Sequence, residues 1–169
     1  MIIGLLLAGG TSSRFQYGDK ALYQDFPERC FETLSALVDK VFVSAKPSNL
    51  SELQKRLSKA SFVLDQAPYI NEGPLSALYA LSSRCNETCD VLILSVDNPE
   101  VSAKSLQLLL AEPKAYVDDY YTIAHLSFEP AELASFLASG QRRMRSFLRL
   151  LKAQPISFPA EELIDHNKK

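Results

Sequence analysis

Ile2-Ile3-Gly4-Leu5-Leu6-Leu7-Ala8-Gly9-Gly10-Thr11-Ser12-Ser13-Arg14, followed by Gly18-Asp19-Lys20, is the stretch on which the fold turns. A short apolar run stops at two glycines, and hydroxyl side chains, an arginine and a lysine come next. An apolar run with no polar face suits a central strand covered by helices on both sides. Paired glycines let the chain turn sharply and let backbone N–H groups come close to a ligand. Arg14 and Lys20 add fixed positive charge where phosphates would lie. The stretch reads as a nucleotide triphosphate loop at the end of a first strand.

Working outward, strands and helices alternate. Residues 20–38 carry apolar positions at helical spacing, with Pro27 near the start, and Val41-Phe42-Val43 is a short strand. Ser48 to Lys59 reads as a helix with Leu50, Leu53 and Leu57 on one face. Phe62-Val63-Leu64 is the next strand, and Gly73-Pro74-Leu75 opens a helix to Ser83, proline being preorganised for a first helical position. Val91 to Val96 is a second fully apolar strand, expected to lie central beside the first. A helix follows from Ser102 or Ala103 through Leu110, then a strand over Tyr121–Leu126. Helices over Pro130–Leu137 and Arg142–Leu151 flank Gly140, and Ile156-Ser157-Phe158 is a last strand. No repeat or linker divides the chain, so the expectation is one domain over residues 1–169. Its class is α/β: a three-layer Rossmann-like fold around a mostly parallel sheet.

Such sheets bind ligands at the C-terminal ends of their strands. Asp97 follows one of them, in Val96-Asp97-Asn98-Pro99. A carboxylate at the tip of a hydrophobic central strand is costly unless solvated, paired or bound to a cation. Mg²⁺ binds by one or two carboxylates plus substrate phosphates, which makes Asp97 the best metal-ligand candidate. Asp-Asn-Pro is also ordinary turn chemistry, so capping of the following turn competes as a reading. Together with the opening loop, the metal reading is preferred.

Composition narrows the classes further. With 169 residues, 47% of them apolar, the chain can bury a real core. No apolar run approaches membrane-span length. No basic residue precedes the first apolar run, which therefore reads as mature structure rather than a secretion signal. A formal charge of −2 argues against general nucleic-acid binding. The three cysteines, Cys30, Cys85 and Cys89, read as free thiols in a cytoplasmic protein. His125 and His166 are isolated and read as structural. A monomer or weak homo-oligomer is expected, with no membrane or nucleic-acid partner.

Three phosphate loops compete for the opening stretch. A Walker A loop needs a hydroxyl after its lysine, and Ala21 follows Lys20 here. The dinucleotide fingerprint needs a third glycine in register, which is absent. What remains, Leu-Ala-Gly-Gly-x-x-x-Arg followed by Asp-Lys, resembles the signature loop of nucleotidyltransferases. Within them the chain is most similar to the molybdenum cofactor guanylyltransferase (MobA) family, and the likeness spans nearly its whole length. Residues 7–22 resemble the nucleotide loop, and Val63-Leu64-Asp65 with Gly73-Pro74-Leu75-Ser76-Ala77-Leu78 resembles the strand-end aspartate and following helix start. Leu94–Pro99 resembles the metal-binding Asp-x-Pro, Tyr121–Ala124 a Pro-Thr-Ile-Ala segment, and Gly140–Phe147 a late Gly-x-Arg-Arg segment. Gln16-Tyr17 stands where the family has glycine, Ser44 where it has asparagine, and Asp165-His166-Asn167 is what remains of a C-terminal Asn-x-Asn-x-Pro.

The resemblance implies transfer of GMP from GTP to the terminal phosphate of molybdopterin, with Mg²⁺ as cofactor. Leu7, Ala8, Gly9 and Ser44 would line the nucleotide, and Arg14 and Lys20 would hold its triphosphate. Asp65 would accept from guanine nitrogens, a pattern that neither adenine nor cytosine matches. Asp97 would carry the metal and, with Arg14 and Lys20, form the catalytic set. Arg142, Arg143 and Asn167 would meet the acceptor. A related enzyme using CTP or a sugar phosphate acceptor, and a non-catalytic nucleotide-binding module, stay open as alternatives.

Overall fold

The computed structural model describes residues 1–10 and 17–166. Two residues expected at the site, Arg14 and Asn167, lie outside the described residues. Along the chain run β1 (Ile3–Leu7), a 3-10 turn (Lys20–Leu22), α1 (Phe26–Ser35), β2 (Lys40–Ser44), α2 (Leu50–Arg56), β3 (Ser61–Val63) and α3 (Pro74–Ser82). Then come β4 (Cys89–Ser95), α4 (Ala103–Leu110), β5 (Ala115–Val117), β6 (Tyr120–Phe128), α5 (Pro130–Ala138), α6 (Met144–Leu150), β7 (Gln154–Ile156) and a 3-10 turn (Ala160–Glu162).

The sheet has the strand order β3-β2-β1-β4-β6-β5-β7. The first four of these strands are mutually parallel, with Leu7 opposite Ser44 on one side and Ser95 on the other. β6 runs antiparallel to both of its neighbours. The expected three-layer architecture with β1 and β4 adjacent and central is therefore present. Leu5, Val91 and Ile93 pack beneath α3, α5 and α6, whereas Leu6, Leu92 and Leu94 pack beneath α1, α2 and α4. Burial on both faces is why these two strands read as unbroken apolar runs. Gly4 serves close packing: a Cβ there would stand 2.9 Å from Val38 Cγ2 and 3.6 Å from Leu34 Cβ.

Several expectations need correcting. The helical spacing over 20–38 resolves into the 3-10 turn and α1, separated by Gln24 at a φ of +46°. Pro27 then sits in the first turn of α1, where its missing N–H is tolerated. The strand expected over 156–158 lies two residues earlier, as β7, and β5 was not foreseen. Cys85 and Cys89, read as free thiols, form a disulfide. The turn between α3 and β4 brings their Cα atoms to 5.5 Å, within bonding reach. Cys30 is free and buried.

Both histidines are structural, as expected. His125 Nδ1 faces the carbonyls of Leu109 (3.2 Å) and Glu112 (2.7 Å), and its Nε2 meets Asp90 Oδ1 at 2.6 Å. His166 joins Glu100 at 2.9 Å and packs on the ring of Phe26. Beside it, Glu162 accepts from Ser102 N at 2.6 Å and from Ser105 Oγ at 2.8 Å, at the start of α4. No helix among the described residues is long and apolar enough to cross a membrane.

Candidate functional site

A cavity of about 380 Å³ opens at the C-terminal end of the parallel strands. Its floor comes from the ends of β1 (Leu7 to Gly10), β2 (Ser44) and β4 (Ser95, Val96, Asp97), with Thr122 of β6 beside them. One wall is Asp19-Lys20-Ala21, and another is Asp65, Asn71, Gly73, Pro74 and Ala77. The volume falls in the range of ligand pockets. Leu7, Ala8, Gly9, Ser44, Asp65, Lys20 and Asp97, singled out from sequence, are thus gathered around one space. Among the described residues, a Cβ on Gly10 would meet nothing within 4 Å, and Gly10 O accepts from Lys46 Nζ at 2.8 Å.

Lys20 owes its position to the residue before it. Asp19 is the N-cap of the 3-10 turn, and its Oδ1 accepts from Ala21 N at 2.9 Å. That turn buries Lys20, whose Nζ lies 3.2 Å from Asp97 Oδ1. Asp19 thus caps this turn, and the lysine beside it is buried rather than a solvated charge. Arg56, at the end of α2, secures the segment after the turn. It donates to Leu22 O at 2.8 Å, to Gln24 O, and to both oxygens of Glu28. The hydrogen bonds that Arg56 donates to Glu28 hold the guanidinium pKa above its ordinary value.

Asp97 follows β4 with its side chain half exposed, and its own N–H donates to Ser95 Oγ. Among the described residues no three His, Cys, Asp or Glu side chains gather into a metal cage. One solvated carboxylate beside a phosphate-sized space fits Mg²⁺, which takes its remaining ligands from phosphates and water. Beneath this turn, Cys30 Sγ faces Ser95 O at 3.7 Å, and burial pushes its thiol pKa up to about 12.

On the opposite wall Asp65 Oδ2 accepts from Asn71 N at 2.8 Å. Gly73, at a φ of +92°, lets the chain swing from this loop into Pro74, the first residue of α3. A side chain would be strained in that conformation.

The late arginines divide. Arg142 donates to Glu72 Oε2 at 2.8 Å and to the carbonyls of Leu137 and Gln141, with its guanidinium over the Tyr69 ring. It ties the α5–α6 connection to the loop that carries Asp65. Arg143 is exposed, and Arg145 lies over Tyr121. Neither Arg142 nor Arg143 lines the cavity.

Sequence reasoning missed Lys46, Asn49, Asn71 and Thr122. Asn49 is the least legible of them. It directly precedes α2, where an asparagine reads as a helix cap, yet its side chain makes no cap bond. Instead it turns back to Ala8 O at 2.9 Å and Asp19 Oδ2 at 3.0 Å.

Comparison with known proteins agrees with this geometry. Residues 4–158 match the MobA-like NTP transferase domain. A molybdenum cofactor guanylyltransferase of Serratia proteamaculans (strain 568) is 29% identical over 178 residues, covering 98% of this chain and 88% of that protein. The crystal structure of molybdopterin-guanine dinucleotide biosynthesis protein A from Archaeoglobus fulgidus superposes with a TM-score of 0.64 at 19% identity, covering 96% of this chain and 85% of the other. A 4-diphosphocytidyl-2C-methyl-D-erythritol synthase from Anaerococcus prevotii DSM 20548 has the same fold, with a TM-score of 0.70 at 11% identity, covering 100% and 91%. The chain belongs to the MobA-like NTP transferase family and is a nucleotidyltransferase.

Proposed function

We propose that this protein transfers GMP from GTP to the terminal phosphate of molybdopterin, releasing pyrophosphate. The observation that carries the choice of base is Asp65. Its Oδ2 is held by Asn71 N, and its Oδ1 has no hydrogen-bond partner among the described residues on a cavity wall. A carboxylate so held can take the paired N–H donors of a guanine edge. The name of the Serratia relative supports the same base and acceptor.

The reaction needs no general base. A phosphate monoester's second pKa is about 6, so the acceptor is already ionised near neutral pH. One of its oxygens forms a bond to the α-phosphorus as the bond from that phosphorus to the β-bridging oxygen breaks. Pyrophosphate leaves with the electron pair. The protein's work is to bring two polyanions together and to stabilise the charge that builds on the leaving group. Lys20 would supply a fixed ammonium, the Gly9-Gly10 backbone would lie beside the phosphates, and Arg14 would add a guanidinium. Asp97 would hold Mg²⁺, which neutralises phosphate charge when bound.

A thermal-shift panel of GTP, CTP, ATP and UTP, each with and without Mg²⁺, tests the choice of nucleotide. The largest shift is expected for GTP with Mg²⁺ on the wild type and is lost in Asp65→Ala. Equal or absent shifts for all four would sink the guanylyl reading, and a largest shift with CTP would transfer it to a cytidylyl enzyme. Guanylyl transfer to molybdopterin then tests the acceptor.

A further inference from the structure

Two side chains outside the expected site grip both ends of the loop between β1 and the 3-10 turn. The carboxamide of Asn49 is 1% exposed and joins three chain segments. Its Nδ2 donates to Ala8 O at 2.9 Å, where β1 ends, and to Asp19 Oδ2 at 3.0 Å, where the loop ends. Its Oδ1 accepts from Lys46 N at 2.9 Å. Lys46 makes a second bridge across the same gap, donating to Gly10 O at 2.8 Å and standing 3.5 Å from Asp19 Oδ2.

We propose that Lys46 and Asn49 are positioning residues that clamp the two ends of this loop and so set where Lys20 stands. Asp19 is the shared anchor. One of its oxygens is held by Asn49 and Lys46, and the other fixes Ala21 N and thereby the turn that buries Lys20. These bonds restrict Asp19, and with it the turn that carries Lys20. The clamp lowers the entropy lost when Lys20 is held against a phosphate, which is a gain in affinity through preorganisation. Presentation of Lys20 to a phosphate rests on the guanylyltransferase reading; the clamp itself does not.

Amide hydrogen exchange on the ligand-free protein, over peptides covering residues 8–10 and 17–22, reads the clamp without any nucleotide. In Lys46→Met and Asn49→Ala both ends are expected to exchange about tenfold faster, while β4 keeps its wild-type protection. Lys46→Arg, which can still reach a carbonyl and a carboxylate, restores slow exchange. GTP with Mg²⁺ should bind about tenfold more weakly to Lys46→Met than to the wild type or Lys46→Arg. Unchanged exchange at both ends, or loosening that includes β4, overturns the proposal. If Asn49→Ala does not fold, the Lys46 pair decides alone. A wild type that binds no GTP, with ends that still loosen in Lys46→Met, upholds the clamp and removes the guanylyl reading. GTP binding with exchange and affinity unchanged does the reverse.

Discussion

Lys20 Nζ and Asp97 Oδ1 stand 3.2 Å apart, but the lysine side chain is 6% exposed and the aspartate 51%. The pair is therefore asymmetric. The ammonium is fixed in the protein, whereas the carboxylate faces water and can turn to a cation without unburying anything. A pair so exposed on one side contributes little to stability, on the order of 1 kcal/mol or less.

Asp97→Asn is expected to separate chemistry from folding. Guanylyl transfer should fall by about 100-fold or more, the scale on which removing one preorganised charge acts. The urea midpoint should move little. Turnover and urea denaturation of the same preparation check both, and undiminished turnover removes the metal role from Asp97.

Arg142 and Arg143 were matched to one role from sequence and should behave differently. Arg142→Ala breaks the tie to Glu72 and two carbonyls, and should lower stability by about 1 kcal/mol. Arg143 is exposed with no such partners among the described residues, so Arg143→Ala should leave stability alone and raise the KM for molybdopterin. Equal effects of the two substitutions on KM would return Arg142 to the acceptor site.

Stability should fall above pH 9. The folded Cys30 thiol ionises only near pH 12, against 9.0 when exposed, so between those values the unfolded chain releases a proton that the folded one keeps. The unfolding free energy then falls with rising pH, by at most about 1.4 kcal/mol per unit from this group. Below pH 9 the contribution is complete. Urea midpoints measured from pH 8 to 10.5 should decline more steeply for wild type than for Cys30→Ala, and parallel curves would refute the assignment. The same burial predicts that Cys30 resists thiol reagents at pH 8 in the native protein.

Gly4→Ala should destabilise by about 1–3 kcal/mol, the usual cost of overpacking. The new methyl would lie 2.9 Å from Val38 Cγ2 and 3.2 Å from Val41 Cγ2. Pairing it with Val38→Ala should recover part of the loss in urea denaturation, because the nearest clash is with that side chain.

What the sequence discloses follows from what each residue does alone. β1 and β4 were legible because burial on two faces leaves an unbroken apolar run. Asp97 stood out because a carboxylate after such a strand needs a reason, and Asp65 only through its match to the family's strand-end aspartate. The reversed direction of β6 was not, since alternation along Tyr120–Phe128 carries no information about which way its neighbours run. The break before α1 was hidden because helical spacing of apolar residues continues across Gln24 and Pro27. Cys85 and Cys89 read as free because only the turn between α3 and β4 brings them together. Asn49 was hidden by a plausible local role, and its actual partners are 41 and 30 residues away. Residues that act across the fold are silent in sequence when a neighbour offers them an ordinary task.

The segment through Glu162 and His166 has one more consequence. It is fastened to the start of α4, to Glu100 and to Phe26, all immediately around the Val96–Pro99 turn. This segment thus acts as a mooring line for the stretch that follows the Val96–Pro99 turn. Slackening that line, by a fusion placed there or by trimming back to β7, is expected to loosen the Val96–Pro99 turn from outside the cavity while leaving every wall residue in the sequence.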